Sequence, residues 1–144
     1  MLIGHYEHGL DDKKRISIPS KWRSDLGKQV VVTSGLDKSL FVYSLKEWKS
    51  IAEKLSALSF TNPDTRSFTR FMLANAFDTN IDSVGRILIN DQLKKFANLN
   101  KNVVLVGMHS RVEIWSEDEW QKYASLNNNK ADTIASKLGS LGIF

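Results

Sequence analysis

Apolar and polar residues alternate along two short segments of the chain, and a segment with helical spacing follows each of them. In RISIP (15–19) and RILIN (86–90) every second residue is apolar, which is typical of a strand with one buried face. Further on, apolar residues recur at the spacing of one helix face, namely at Trp48, Ile51, Ala52, Leu55 and Leu58. A matching stripe begins at Trp120. The pattern therefore predicts a mixed α+β protein.

The two regions are copies of one unit. An offset of 71 residues aligns YEHGLDDKKRISIP (6–19) with FDTNIDSVGRILIN (77–90). An offset of 72 residues aligns VVVTSGLDKSLFVYSLKEW (30–48) with NVVLVGMHSRVEIWSEDEW (102–120). A D-x-x-x-R pattern alone is common by chance, but two copies in register, each followed by S-x-x-E-W, indicate a duplication.

Both copies predict the same order of elements: a strand, a polar turn, a second strand, a short helix, a hairpin and a longer helix. The predicted strands are 2–8, 15–19, 29–34 and 40–44 in the first copy, and 76–81, 86–90, 102–107 and 111–115 in the second. The short helices are predicted over Ser20–Leu26, ended by Gly27, and over 90–97, with Ser20 and Asn90 as N-caps. Capping boxes at Ser44 and Ser116 begin the longer helices.

This order divides the chain into four parts. Residues 1–60 form the first repeat and residues 76–126 the second. Residues 61–75 between them are predicted to be a linker helix that begins at Asn62 and packs on the core. In the tail, 127–144, the asparagines at 127–129 break the helical pattern, a short helix is predicted over 130–138, and GSLGIF is expected to be a frayed end.

The composition excludes several kinds of site. The chain has no cysteine, so disulfides, thiolate metal sites and cysteine nucleophiles are excluded. His5 and His8 lie three apart on a predicted strand, so their side chains point to opposite faces and cannot share a metal. No apolar run approaches the roughly 20 residues of a membrane span, and the first residues lack the basic start and apolar core of a signal peptide. We expect a cytoplasmic protein with no metal and no cofactor.

Other candidate chemistry is equally sparse. No nucleophile motif, phosphate-binding glycine loop or zinc-ligand spacing is present, so an enzyme is disfavoured. The four tryptophans lie at core-facing positions and are expected to serve packing rather than base stacking: Trp22, Trp48, Trp115 and Trp120.

The net charge of +4 lies entirely in the first half of the chain. Residues 1–72 carry 12 Lys and Arg against 8 Asp and Glu, whereas residues 73–144 carry 8 of each. Five of the cations lie close together in the sequence: Lys13, Lys14, Arg15, Lys21 and Arg23. A solvated surface and a nucleic-acid contact both account for such a cluster.

The polar turn of each copy presents one arginine. Asp11 and Asp82 suit the openings of the turns because aspartate accepts nearby backbone amides, and Gly85 suits a positive φ. Arg15 and Arg86 then begin the second strands. A guanidinium fork matches a guanine edge or a phosphate, and it equally suits a pair with the aspartate of its own turn, so both interpretations stay open.

The two turns differ in their surroundings along the sequence. Arg15 stands within the cluster of cations, whereas Arg86 has no other cation in its turn, and its nearest are Lys94 and Lys95. We therefore expect nonspecific attraction for a polyanion to come mainly from the first turn.

The chain resembles the MraZ family of bacterial regulators in its duplicated D-x-x-x-R turns, its opening MLIGHYEHGLDDKKRISIPSKWR, and its segments GLDKSLFVYSLKEW and VEIWSEDEW. The resemblance covers about residues 1–126, with both copies in order and spacing. The chain departs from the family in two places. The usual turn is D-x-x-G-R, but Lys14 replaces the glycine of the first turn, and Asn90 stands where a proline often follows the strand.

The resemblance implies two tandem AbrB-like swapped-hairpin β-barrel halves with pseudo-twofold symmetry, flanked by short helices. It also implies a transcriptional regulator that binds double-stranded DNA at direct repeats in the promoter of its own division and cell-wall operon. Such a protein would be nucleoid-associated and would form a ring-shaped homo-oligomer, often an octamer. The DNA-contacting arginines of the family correspond to Arg15 and Arg86.

We expect four further cations to attract DNA phosphates: Lys13, Lys14, Lys21 and Arg23. The alternative is a non-catalytic scaffold or interaction protein in which the D-x-x-x-R turns are structural.

Overall fold

Each half of the chain contributes four strands and three helices to the computed structural model, which describes residues 1–144. In the first half these are β1 (His5–Gly9), β2 (Arg15–Ser17), α1 (Ser20–Leu26), β3 (Gln29–Ser34), β4 (Leu40–Ser44), α2 (Leu45–Ser56) and α3 (Pro63–Leu73). In the second half they are β5 (Phe77–Asn80), β6 (Arg86–Leu88), α4 (Asp91–Phe96), β7 (Asn102–Gly107), β8 (Val112–Ser116), α5 (Glu117–Asn128) and α6 (Ala131–Ser140). The predicted α+β class and the order of elements in both copies are confirmed.

The two halves exchange their first strands. Six strands form one sheet in the order β1-β7-β8-β4-β3-β5, so β1 pairs with β7 of the second half and β5 pairs with β3 of the first. The two remaining strands, β2 and β6, pair only with each other. The halves are therefore swapped and pseudo-twofold related, as predicted. The ladders do not close into a continuous barrel, because β1 and β5 are the edges of the larger sheet.

The pseudo-twofold relation is centred on the short β2–β6 ladder. Its antiparallel register places Ile16 opposite Ile87, and neither side chain is accessible to solvent. Beyond the ladder, the Ile18 amide donates to the Gly85 carbonyl, and the Ile89 amide donates to the Lys14 carbonyl, both at 2.8 Å. Each polar turn is thus bonded to the strand of the other half.

The inner face of the six-stranded sheet packs against β2, β6, α1 and α4 in a core of 19 buried residues drawn from both halves. Trp22 of α1 lies in this core with no exposed surface and meets the Tyr6 ring edge-on, with 5.1 Å between ring centroids. Trp115 is buried in a smaller cluster on the outer face, whereas Trp48 and Trp120 are only partly buried. Both copies therefore depend on one shared core.

Most predicted helix ends are confirmed. The hydroxyls of Ser44 and Ser116 accept the amides of the residues three positions later, and the side chain of Asn90 accepts the Leu93 amide. Gly27 follows α1 with a φ of 81°. The prediction of Ser20 as an N-cap is wrong, because Pro19 holds that position and no side chain caps α1. The repeat itself indicates this, since Pro19 aligns with Asn90.

The ends of the strands differ from the prediction by up to three residues, and three features of the helices differ as well. Leu58 lies beyond the end of α2 and is 45% exposed, so it does not belong to the buried stripe. The asparagines at 127 and 128 continue α5, where the Asn127 side chain donates to the Tyr123 carbonyl at 2.8 Å. Helix α6 extends to Ser140, so Gly139 and Ser140 are helical rather than frayed.

Helices α3 and α6 follow the same elements of the two halves but pack differently. As predicted for the linker helix, α3 lies against the core: Met72 is buried, and the hydroxyls of Thr33 and Ser34 donate to the carbonyls of Met72 and Phe71. Helix α6 buries none of its residues, and Ile134 on it is 40% exposed. Neither these nor the other helices are long and apolar enough to cross a membrane.

The β2–β6 ladder allows a matched test of the core. We expect Ile87→Ala to lower the free energy of unfolding by about 2–5 kcal/mol, because it deletes fully buried methyl groups. Leu88→Ala, at the next position, removes a side chain that is 50% exposed and should cost less than about 0.5 kcal/mol. Chemical denaturation followed by tryptophan fluorescence measures both losses, and equal losses would contradict the inward orientation of Ile87.

Candidate nucleic-acid interface

The two polar turns, residues 11–15 and 82–86, have the same hydrogen bonds. In the first turn Asp11 Oδ1 accepts the amides of Lys13 and Arg15, both at 2.9 Å. In the second turn Asp82 Oδ1 accepts the amide of Val84 at 3.0 Å and that of Arg86 at 2.9 Å. The backbone bonds also match, since the amide of each aspartate donates to the carbonyl of the arginine four residues later. The predicted turn-forming role of both aspartates is confirmed.

Each aspartate also orients the arginine of its turn. Asp11 Oδ2 accepts Arg15 Nε at 2.8 Å, and Asp82 Oδ2 accepts Arg86 Nε at 2.9 Å. The Nη atoms of both arginines have no hydrogen-bond partner in the protein, and the two side chains are 30% and 31% exposed. The aspartates therefore fix both guanidinium groups and leave their terminal forks available to a ligand.

The arginines lie on the outer face of one ladder. Side chains alternate across a strand, and Ile16 and Ile87 point into the core, so Arg15 and Arg86 lie on the opposite face. Arg15 pairs with Leu88, which places Arg86 two residues along the partner strand. Diagonal positions of this kind have Cα atoms about 7–8 Å apart. The two arginines thus share one surface.

The aspartate carboxyls are more acidic than usual. The amide of Arg15 lowers the pKa of Asp11 below its ordinary value of 3.8, and the Arg15 side chain lowers it further. The amide and the side chain of Arg86 do the same for the pKa of Asp82. In both turns the bond from the main-chain amide is the larger cause of the lower pKa.

The fourth residue of both turns has a positive φ. Gly85 has a φ of 85°, as predicted, and Lys14 has a φ of 62° at the matching position. The left-handed conformation costs a residue with a side chain about 1–2 kcal/mol. Because Lys14 adopts this conformation, the first turn keeps the same hydrogen bonds as the second turn, although it lacks the glycine.

The short helices lie beside the turns of the opposite halves. The guanidinium of Arg23, on α1, packs against Gly85 so closely that a Cβ at Gly85 would overlap it. Arg23 Nε donates to the Ile18 carbonyl at 3.0 Å. Lys94 and Lys95 are the cations nearest the second turn along the sequence, but the fold brings Arg23 of the first half against it.

Lys94, the repeat counterpart of Arg23, lies at the first turn. It lines a cleft of about 560 Å³ together with Leu10, Asp11, Asp12, Lys14, Asn100 and Lys101. Sequence reasoning missed this arrangement. The repeat offset pairs Arg23 with Lys94 and Gly85 with Lys14, but it does not show that the helices lie beside the opposite turns.

The remaining predicted cations have different surroundings. The Lys14 ammonium forms an ion pair with Asp91, the first residue of α4, which sequence reasoning also missed. The Lys21 ammonium lies over the Tyr6 ring, 4.9 Å from its centroid. Lys13 is exposed and forms no ion pair. Arg15, Arg86 and Arg23 therefore lie close to the β2–β6 ladder. The ammonium groups of Lys14 and Lys21 contact other side chains of the protein, namely Asp91 and Tyr6.

Comparison of the sequence with known protein families gives two matches to one family. The model of the family described as MraZ protein, antitoxin-like, matches the chain twice, over residues 1–71 and 72–138. The chain belongs to the MraZ family. The first match ends within α3 and the second within α6.

Relatives named "Transcriptional regulator MraZ" align with nearly the full length of this chain. The relative from Caldanaerobacter subterraneus subsp. tengcongensis is 47% identical over 143 residues, which cover 99% of this chain and 100% of the relative. Those from Clostridium tetani and from Thermoanaerobacter sp. (strain X514) are 46% and 48% identical over the same shares.

The acidity of the turn aspartates gives a test of how the turns are held. We expect Asp11 in Arg15→Ala, and Asp82 in Arg86→Ala, to keep a pKa below 3.8, because the main-chain amides at positions 15 and 86 still donate. A depressed pKa stabilises the fold above the unfolded pKa, and this contribution disappears as the pH falls through the folded pKa. Carboxyl NMR titration measures these values, and a return to the ordinary pKa would show that the arginine side chains hold the turns.

Proposed function

We propose that this MraZ-family chain is a sequence-specific, DNA-binding transcriptional regulator that acts without catalysis. The supporting observation is the matched pair of turns that hold Arg15 and Arg86 by Nε and leave their Nη atoms without a protein partner. The relatives carry the name of a transcriptional regulator rather than that of an enzyme.

The geometry suits recognition in the major groove of DNA. That groove admits a two-stranded β-ribbon, and a guanidinium fork pairs with O6 and N7 of guanine. Cα atoms about 7–8 Å apart on one ladder correspond to roughly two base-pair steps of about 3.4 Å. Arg15 and Arg86 of one chain would therefore contact bases within one short recognition element, and Lys13, Lys14, Lys21 and Arg23 would contact phosphates.

A homo-oligomer, ring-shaped and of about eight chains by family resemblance, would bind several direct repeats in the promoter of its own division and cell-wall operon. Helix α6 supports assembly, because its counterpart α3 is packed on its own half whereas α6 leaves Ile134 and, beyond its end, Leu141 and Ile143 exposed.

We place this regulator in the cytoplasm, on the nucleoid. We assign the repeats to residues 1–60 and 76–126, the linker helix to 61–75 and the tail to 127–144.

The second candidate function is a non-catalytic scaffold in which the arginines only stabilise their turns. It is supported by the Asp11–Arg15 and Asp82–Arg86 pairs, which are complete without a ligand. Salt dependence separates the two functions. Binding to DNA through Z phosphate contacts weakens with a log–log slope of about −0.9Z, whereas a scaffold has no such dependence on duplex DNA.

We expect Arg15→Ala and Arg86→Ala each to abolish binding to the promoter duplex. A lost bidentate contact to guanine costs about 1–3 kcal/mol, and an oligomer multiplies this loss over every bound chain. Thermal melting and oligomer size should stay near those of the wild type, because the aspartates keep their backbone bonds. Gel shift, thermal denaturation and light scattering measure the three properties.

Arg70→Ala is a suitable control for the loss of one arginine, because Arg70 is exposed on α3 and takes part in no ion pair. We expect this variant to retain promoter binding. Full promoter affinity in Arg86→Ala would show that the second turn has only a structural role.

Affinity should also depend on the number of repeats in the DNA. We expect an oligomer to bind three promoter repeats far more tightly than one, because the later contacts form at a high effective concentration. Ile134→Asp, on the exposed face of α6, should reduce oligomer size and remove most of this gain while leaving single-repeat binding unchanged. Light scattering and gel shift with one or three repeats test this, and equal affinity for both duplexes would count against a multivalent regulator.

A further inference from the structure

The first turn is bonded to the second half through an exposed ion pair. Lys14, the residue in place of glycine, directs its ammonium to Asp91, and their side chains are 40% and 79% exposed. The hydrogen bond from Lys14 and its positive charge lower the pKa of Asp91 below its ordinary value. In the free protein, the Lys14 ammonium is therefore already paired with a carboxylate.

The second turn has the opposite arrangement. Gly85 stands at the position of Lys14, and the space beside it is filled by the guanidinium of Arg23, which takes part in no ion pair. The repeat counterpart of Asp91 is Ser20, which carries no charge. The second turn thus holds a cation that no carboxylate neutralises.

The fold therefore pairs one cation of the first turn with a carboxylate and adds an unpaired cation to the second turn. Lys14 is neutralised at the first turn, and Arg23 is carried by α1 to the second turn. Nonspecific attraction to DNA depends on cations that can neutralise phosphates and release counterions. A lysine that must first leave a carboxylate contributes less to this attraction than an unpaired arginine.

We propose that Asp91 limits the affinity of the first turn for the DNA backbone by neutralising Lys14, and that the unpaired Arg23 at the second turn contributes more to phosphate binding than Lys14 does. This inference rests on the proposed function, DNA binding through the two turns. It assigns Asp91 a role in setting affinity, and it adds Arg23 to the second turn, which has no second cation of its own in the sequence.

A double-mutant cycle tests the role of Asp91. The full-length variants Asp91→Asn, Lys14→Gln and the double variant are titrated with the promoter duplex and with a scrambled duplex of equal length, over a range of salt concentrations. We expect Asp91→Asn to raise affinity for both duplexes and to steepen the salt slope by up to about 0.9 per bound chain, because Lys14 becomes free to contact a phosphate. In the Lys14→Gln background the same substitution should have little effect.

Arg23→Gln supplies the comparison between the two turns. It should make the slope shallower by about 0.9 per bound chain, whereas Lys14→Gln alone should change it much less. Glu53→Gln, which removes one exposed carboxylate from α2, is the control for net charge and should leave the slope unchanged. All variants should melt near the wild-type temperature, which excludes unfolding as the cause of a change.

Two outcomes would overturn the inference. The first is an equal effect of Asp91→Asn in both backgrounds, which would mean that Asp91 repels DNA directly. The second is a loss in Lys14→Gln as large as that in Arg23→Gln. If promoter binding depends on Arg86 but either outcome is found, this inference fails alone, whereas absence of any DNA binding by the wild type would overturn the proposed function as well.

The ion pair can also be tested without DNA. Carboxyl NMR titration should show the pKa of Asp91 rising toward its ordinary value of 3.8 in Lys14→Gln, because the partner that lowers it is gone. An unchanged pKa would show that Lys14 does not hold Asp91 in solution and would overturn the inference by itself.

Discussion

Antiparallel pairing of β2 with β6 is the interaction on which the rest of this structure depends. The ladder is only three residues long, yet it places Ile16 against Ile87 in the shared core and bonds each turn to the strand of the other half. Neither half could bury its own β2 or β6 alone, because the partner strand comes from the other copy. The same pairing brings Arg15 and Arg86 onto one outer face, so one ladder creates both the core and the candidate interface.

Within each turn, the two carboxylate oxygens of the aspartate bind different partners. One carboxylate oxygen accepts two backbone amides and closes the turn, and the other accepts the arginine Nε. The bonds that shape the turn are therefore made to main-chain amides. The aspartate orients the guanidinium through Nε alone, and the Nη atoms keep no partner in the protein. This division lets a side chain replace glycine at Lys14, since the turn keeps its hydrogen bonds and only the backbone conformation becomes less favourable.

Local features of the fold could be predicted because their causes lie within a few residues. Strand alternation, the serine caps of α2 and α5, the glycine after α1 and the aspartate turns all depend on neighbours in the sequence, and the structure has them. The duplication extended these predictions to both halves. Errors occurred where a local pattern had two solutions, as at Ser20, where the preceding proline supplies the N-cap position, and at Asn127, whose side chain donates to a carbonyl of the preceding turn and lets α5 continue.

For the candidate site, the sequence by itself determined the two turns, their aspartates and the two arginines, because each turn closes on its own residues. The exchange of strands between the halves was expected only from the family resemblance, and nothing in the alternation of residues indicates which strand pairs with which. Only the tertiary structure decided the surroundings of the turns: Arg23 packs on Gly85, and Lys14 pairs with Asp91, although about 60 to 80 residues separate the partners in the sequence. The charge around each arginine follows from these long-range contacts, which arise because the swapped halves share one core and place each short helix beside the turn of the other half.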